Sequence, residues 1–137
     1  VQETLPETDI LIKAAAVADY RPATVADQKI KKKDGDMSIP LERTDDILGW
    51  VEKNRHPDLF VCGFSMETEN MVENSCAKLE KKHLDMIAAN NLKTEGAGFG
   101  VATNVVTLIT KDGIRELPLM GKDEVAGCLL DEITARR

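Results

Sequence analysis

Two apolar runs that do not alternate constrain this chain most: Asp9 to Val17, DILIKAAAV, and Asp58 to Ser65, DLFVCGFS. A strand with one wet face alternates apolar and polar residues, whereas a strand covered on both faces reads as an unbroken apolar run. The first run therefore predicts a central parallel strand, and the second another buried strand. Helical patterns separate and follow them. Thr44 to Asn54 opens with Thr and Asp where an N-cap belongs and carries Ile47, Leu48 and Val51 on one side. Glu67 to His83 puts Met71, Val72, Cys76 and Leu79 close to one stripe. Residues 84–91, LDMIAANN, read as a third short strand. Lys122 to Arg137 reads as a last helix with Val125, Ala126, Leu129, Leu130 and Ile133 inward.

Two hairpins complete the pattern. One runs from Lys29 to Leu41 and turns at Asp34-Gly35-Asp36, with Pro40 making its second arm an edge. In the other, Asn104 to Thr110 and Arg115 to Met120 flank Asp112-Gly113, and Gly96 to Gly100 forms a loop before it. Strands alternating with helices predict an α/β, Rossmann-like three-layer fold with a mostly parallel sheet plus β-hairpin extensions. No repeat or linker divides the chain, so residues 1–137 read as a single domain. In such a sheet ligands bind beyond the carboxyl ends of the strands, which places Val17 to Arg21, Gly63 to Glu67 and Ala89 to Asn91 around one site.

Charge narrows the ligand. A formal net charge of −6 argues against a nucleic-acid or membrane-surface role, because both polyanions are met by basic faces. No apolar run reaches the roughly 18 residues of a membrane span, and no leader pattern opens the chain. Cys62, Cys76 and Cys128 lie far apart, suggesting neither a disulfide framework nor a zinc site, so the expectation is a soluble cytoplasmic protein with reduced thiols. Lysines nevertheless concentrate twice, at Lys29, Lys31, Lys32 and Lys33 and at Lys78, Lys81 and Lys82. Two such clusters suit a compact polyanion such as a triphosphate; the plainer reading is two solvated faces. Ala14, Ala15 and Ala16 would let a ligand approach the strand end closely, and Asp19 offers a carboxylate to an amine or hydroxyl. Alternatively, the alanines pack against a helix and Asp19 caps a loop.

The combination is more specific than its parts. AAAVADYRP, KIKK, RTDDIL, GFSMET, KLEKKHLDMIAAN and GFGVATN succeed one another in an order that resembles phosphopantothenoylcysteine synthetase over nearly the whole chain. The resemblance implies a ligase of coenzyme A biosynthesis that condenses 4′-phosphopantothenate with cysteine. Bacterial members use CTP and magnesium, forming an acyl-cytidylate with release of pyrophosphate; the amine of cysteine then attacks and CMP leaves. In many bacteria this domain is the C-terminal half of a protein whose other half is a flavin-dependent decarboxylase. No flavin belongs to the domain itself, and a homodimer is implied in which the lysine-rich hairpin leans toward the partner.

Residue by residue, the resemblance puts Ala15 and Asp19 in the nucleotide site. Lys29 matches a lysine that binds the nucleotide and takes part in the reaction, where a cation can neutralise charge developing at the α-phosphorus. Strand alternation would place Lys31 and Lys33 on the face of Lys29, with Lys32 pointing away. Thr44, Asp45, Asp46 and Ile47 match a nucleotide-binding segment at a helix start, where unpaired N–H groups meet anions. Phe64 matches a residue lining the pocket, and Lys78 and Lys82 match two helix lysines one turn apart. Asp45 stands where proline is common and Glu80 where a third basic residue is. Magnesium ligands are unassigned.

The family's upstream segment, a glycine-rich strand-to-helix turn with a Ser-Ser-Gly stretch, is not in these residues. The expectation is thus an N-terminally truncated domain that lacks its first strand and binds nucleotide without full activity. The competing reading is a non-catalytic nucleotide-binding regulatory module. A nicotinamide dehydrogenase is disfavoured because no GxGxxG turn opens a helix. Phe99 shapes the pocket or anchors its loop, His56 and His83 take surface or capping roles, and Trp50 and the methionines belong to a core or an interface.

Overall fold

The structure, a computed structural model, describes residues 1–31, 35–67, 69–91 and 100–137. After a 3-10 turn at Leu5–Glu7, the elements are β1 (Ile10–Lys13), β2 (Tyr20–Pro22), β3 (Leu41–Arg43), α1 (Ile47–Asn54), β4 (Phe60–Glu67), α2 (Met71–Lys81) and β5 (Met86–Asn91). Next come β6 (Thr103–Asn104), β7 (Val106–Thr110), β8 (Gly113–Glu116), β9 (Met120–Gly121) and α3 (Lys122–Arg136). The main sheet has the order β1-β4-β5-β7-β8. β1, β4 and β5 run parallel, with Lys13 opposite Gly63 and Cys62 opposite Met86, whereas β7 and β8 add antiparallel strands.

Alternation along these strands builds two cores. Val61, Ile87, Ala89 and Ile109 face α1 and α2, joined by Val51 and Leu79 and by half-buried Leu48, Trp50 and Met71. Cys62, Met86, Ala88 and Leu108 face the opposite way, onto Val125, Leu129 and Ile133 of α3. The result is the three-layer α/β fold expected, with α1 and α2 on one face and α3 on the other.

Local chemistry fixes the helix ends. Asp46 caps α1 by accepting the Gly49 N–H at 3.0 Å. At the other end Arg55 donates to the carbonyls of His83 and Leu59 and, at 2.7 Å, to Asp85. The same Asp85 oxygen accepts the Val61 N–H at 2.8 Å, so one ion pair fastens the end of α1 to β4 and to the approach of β5. α2 begins after Asn70 and is followed by His83, both with φ of +47°, and His83 Nδ1 lies 2.7 Å from Glu52. Ser65 and Ser75 hydroxyls meet at 2.8 Å where α2 covers β4, satisfying two buried polar groups.

Three expectations need correction. β1 ends at Lys13 and leaves Ala14 to Val17 outside any strand, and it lies at an edge of the described sheet with all four residues half-buried, because its one ladder is with β4. The predicted Lys29 to Leu41 hairpin has no ladder among its described residues. Gly35 does take a positive φ of +102°, as a tight reversal requires, but Asp36 to Pro40 after it are exposed. The antiparallel pair forms instead at the base of the excursion, Tyr20 opposite Arg43 and Pro22 opposite Leu41, where Arg21 and Glu42 form a 2.8 Å ion pair. Lys29 and Lys31 are therefore not on a strand. Third, the Thr44 to Asn54 helix starts at Ile47, since Asp46 rather than Thr44 is its cap. The expectations for Lys32, Lys33, Asp34, Phe99 and most of the Gly96 to Gly100 loop lie outside the described residues.

Among the described residues no helix is long and apolar enough to cross a membrane. Ile87, 1% exposed in the core, and Ile39, 58% exposed on the excursion, give a direct test of this packing. Ile87→Ala is predicted to lower the unfolding free energy by about 2–5 kcal/mol and Ile39→Ala by under about 0.5 kcal/mol, read by urea denaturation. Equal losses would show that the excursion packs as tightly as the core.

Candidate functional site

The site begins where β1 stops. Lys13 turns its ammonium back to the Ala15 carbonyl at 3.0 Å, holding the start of the alanine-rich segment over the strand end. Beyond it the chain is tied to the start of α1: the Thr44 hydroxyl donates to the Ala18 carbonyl at 2.6 Å and the Thr44 N–H to the Asp19 carbonyl at 3.0 Å. These bonds set Asp19 beside Thr44 although twenty-four residues separate them. The Arg43 guanidinium stands 5.9 Å from the Tyr20 ring centre, a cation–π contact across β2 and β3. From the far side, Lys82 at the end of α2 donates to Asp46 at 2.5 Å.

A cleft of about 600 Å³ results. Its lining comes from the end of β1 and the segment after it (Lys13, Val17, Asp19, Tyr20), from Arg43 to Leu48, and from Lys81 and Lys82. Four of these side chains are cations, Lys13, Arg43, Lys81 and Lys82, and three are carboxylates, Asp19, Asp45 and Asp46. In a chain of net charge −6 this concentrates positive charge locally, the arrangement a small anionic ligand needs. A larger cleft, about 960 Å³, opens on the other side of the Asp45 to Ile47 turn, between Val1 to Glu3, Gly49, Trp50 and Lys53. Its lining holds one lysine, so the smaller cleft is the better anion site.

Six of the ten residues singled out by sequence meet in the smaller cleft: Asp19, Thr44, Asp45, Asp46, Ile47 and Lys82. Ala15 adjoins it through its carbonyl contact with Lys13. Lys29 is exposed on the excursion, outside the lining. Lys78 is paired instead with Glu67 at 2.5 Å, so the two lysines one turn apart on α2 reach carboxylates of different elements. Phe64, 37% exposed, shares the face of Cys62, which α3 covers, and so turns away from α1 and α2. Burial pushes the Cys62 thiol up to about 12, which fits a cysteine with no nucleophilic part.

Lys13, Arg43 and Lys81 were not singled out as site residues. Lys13 carried a signal, being a charge inside an apolar run at the place where the run ends. Lys81 belongs to the second lysine cluster and Arg43 opens the RTDDIL segment, but the resemblance matches neither to a site role.

The Lys82 ammonium, and after it the Gly49 N–H, hold the Asp46 carboxyl below its ordinary value of 3.8. A carboxyl lowered by folding contributes stability above that ordinary value, and the contribution disappears as pH falls through the lowered one. Asn caps a helix about as well as Asp, so Asp46→Asn isolates the charge. The variant is predicted to be less stable than the parent at pH 7 in urea denaturation, with the gap closing below pH 3.8. A gap independent of pH would contradict the pairing.

Residues 1–136 match the family described as DNA/pantothenate metabolism flavoprotein C-terminal domain. The coenzyme A biosynthesis bifunctional protein CoaBC of Bacillus subtilis (strain 168) is 48% identical over 129 residues, 93% of this chain and 32% of that protein. A cysteine/cysteine sulfinic acid decarboxylase of an unknown prokaryotic organism is 43% identical over 132 residues, 96% of this chain and 37% of its own length. The crystal structure of the C-terminal domain of CoaBC aligns with a TM-score of 0.75 at 38% identity, covering 98% of this chain and 60% of that one. The chain thus spans about a third of the length of these two curated relatives. These two relatives carry names for different activities.

Proposed function

Because this chain belongs to the DNA/pantothenate metabolism flavoprotein C-terminal domain family, we propose that it is the nucleotide-handling part of a ligase that joins 4′-phosphopantothenate to cysteine with CTP. The observation that carries this reading is the convergence of Asp19, Thr44 to Ile47 and Lys82 on one cleft, with three further cations beside them. The whole reaction is proposed for a protein in which this stretch stands with the rest of the length its relatives have. In such a protein, as the resemblance implies, a flavin-dependent decarboxylase domain accompanies it. A cytoplasmic setting is part of the same proposal.

In the proposed reaction the carboxylate of phosphopantothenate attacks the α-phosphorus of CTP, the bond to pyrophosphate breaks, and an acyl-cytidylate forms. The amine of cysteine then attacks the acyl carbon and CMP departs. The cleft residues divide the binding work by their chemistry. Lys82 and its neighbours Lys13, Lys81 and Arg43 bind phosphoryl oxygens, while Asp19 accepts from the cytosine amine or a ribose hydroxyl. Lys29 is the cation proposed to act at the α-phosphorus. Its excursion also carries exposed Val25, Ile30 and Met37, and a homodimer in which this apolar surface meets a partner belongs to the proposal. The donor set fits magnesium held mainly by phosphate oxygens: among the described residues no three His, Cys, Asp or Glu gather as a cage, while Asp19 and Asp45 offer single hard oxygens at the cleft. Bound there, the ion would neutralise charge on the triphosphate.

Calorimetric titration with CTP and with ATP in magnesium, on the parent and on Lys82→Ala and Lys29→Ala, tests this reading. CTP is predicted to bind more tightly than ATP, and removal of the Lys82 cation to weaken it by about 1.5–3 kcal/mol, the range of hydrogen bonds to charged groups. Pyrophosphate release on adding phosphopantothenate separates a ligase from a binding module. A folded chain that binds neither nucleotide would overturn the assignment.

A further inference from the structure

One cation of the cleft, Lys82, is already engaged by a carboxylate. Lys82 donates to one oxygen of Asp46 at 2.5 Å, and the other oxygen accepts the Gly49 N–H at 3.0 Å. One carboxylate therefore sits between an ammonium and the first turn of a helix, the same two kinds of donor that a phosphoryl group would use there. The room for it is specific. A Cβ at position 49 would lie 2.9 Å from Asp46 Oδ2 and 3.1 Å from its Cγ, so the carboxylate occupies space that only glycine leaves open. Its side chain is 60% exposed, with Lys13, Arg43 and Lys81 as the other cations of the cleft and Asp19 and Asp45 as its other carboxylates. At that exposure the carboxylate can swing into solvent.

We propose that Asp46 sets how tightly the cleft holds polyphosphates: its carboxylate is an internal occupant of the anion position between α1 and Lys82, and a phosphoryl group enters by taking its place. This deepens the nucleotide reading and rests on it for the identity of the ligand. Binding is then an exchange of one anion for another at Lys82, so the cleft does not bind every phosphate it meets. Loss of a carboxylate beside a polyanion strengthens binding by relief of repulsion alone, so the variant that keeps the charge and denies it the position, Gly49→Ala, separates an occupant from a mere neighbour.

The test measures inorganic triphosphate, without divalent cations, on the parent, Lys82→Ala, Asp46→Asn and Gly49→Ala, with CTP titrated alongside. Asp46→Asn keeps the cap and removes the charge; Gly49→Ala keeps the charge, denies it the position and favours the helix. Lys82→Ala is predicted to weaken triphosphate binding, and the other two to tighten it by about 1.5- to fivefold, the factor that release of an exposed ion pair returns. Unchanged or weaker binding by Asp46→Asn would overturn the proposal, and Gly49→Ala decides alone if Asp46→Asn loses its fold by circular dichroism. If triphosphate behaves in this way while CTP binds no more tightly than triphosphate, the role of Asp46 stands and the nucleotide reading falls. Selective CTP binding without tighter triphosphate binding in the variants leaves the nucleotide reading standing and removes the role of Asp46.

Discussion

The parallel part of the main sheet and the helices that cover it are arranged around β4. It is paired in parallel with β1 on one side and β5 on the other, and its interior residues Val61, Cys62 and Gly63 are buried. A strand covered on both faces must have helices on both faces, so α1 and α2 gather over Val61 while α3 covers Cys62. Even its glycine is determined by packing, since a Cβ on Gly63 would approach the Leu84 side chain to 2.9 Å. The Arg55–Asp85 ion pair then fastens the end of α1 to the start of β4, with Asp85 also accepting the Val61 N–H. With that end of α1 fixed, its other end, and Asp46 with it, falls beside the end of α2.

What could be read in advance was whatever depended on local periodicity. The runs containing Ile10 to Ile12 and Val61 to Gly63, the stripes of α1, α2 and α3, and the turn at Asp112-Gly113 all carry their reason within a few residues. What could not be read depended on partners distant in sequence. Each of Tyr20, Arg21 and Pro22 is exposed, and the three become a strand only because Leu41 to Arg43 returns to them. Ala14 to Val17 is apolar enough to look like strand, but it has no ladder, and alanine contributes little to a pleated surface. The site divides the same way. Thr44 to Ile47 is legible as a helix start, whereas the Lys82–Asp46 contact spans thirty-six residues and has no sequence signature.

Charge explains how an acidic chain can present an anion site. The net charge of −6 is a property of the whole surface, while the cleft gathers Lys13, Arg43, Lys81 and Lys82 from three separate stretches. Screening confines each charge to about 8–10 Å in physiological salt, so a small ligand in the cleft responds to these neighbours more than to the total. The carboxylates beside them limit how permissive that local field is. Local attraction paired with overall repulsion favours a compact anion over a long polyanion.

The proposed function requires that one cleft, built from the end of β1, the start of α1 and the end of α2, receives the nucleotide. Amide chemical-shift mapping by NMR during titration with CTP and magnesium tests it most directly. Saturable shifts are expected at Lys13, Asp19, Thr44, Gly49 and Lys82, with the amides of Val125 to Ile133 in α3 unmoved. Shifts confined to Gln2, Trp50 and Lys53 around the larger cleft, with Asp19 and Lys82 unaffected, would contradict it.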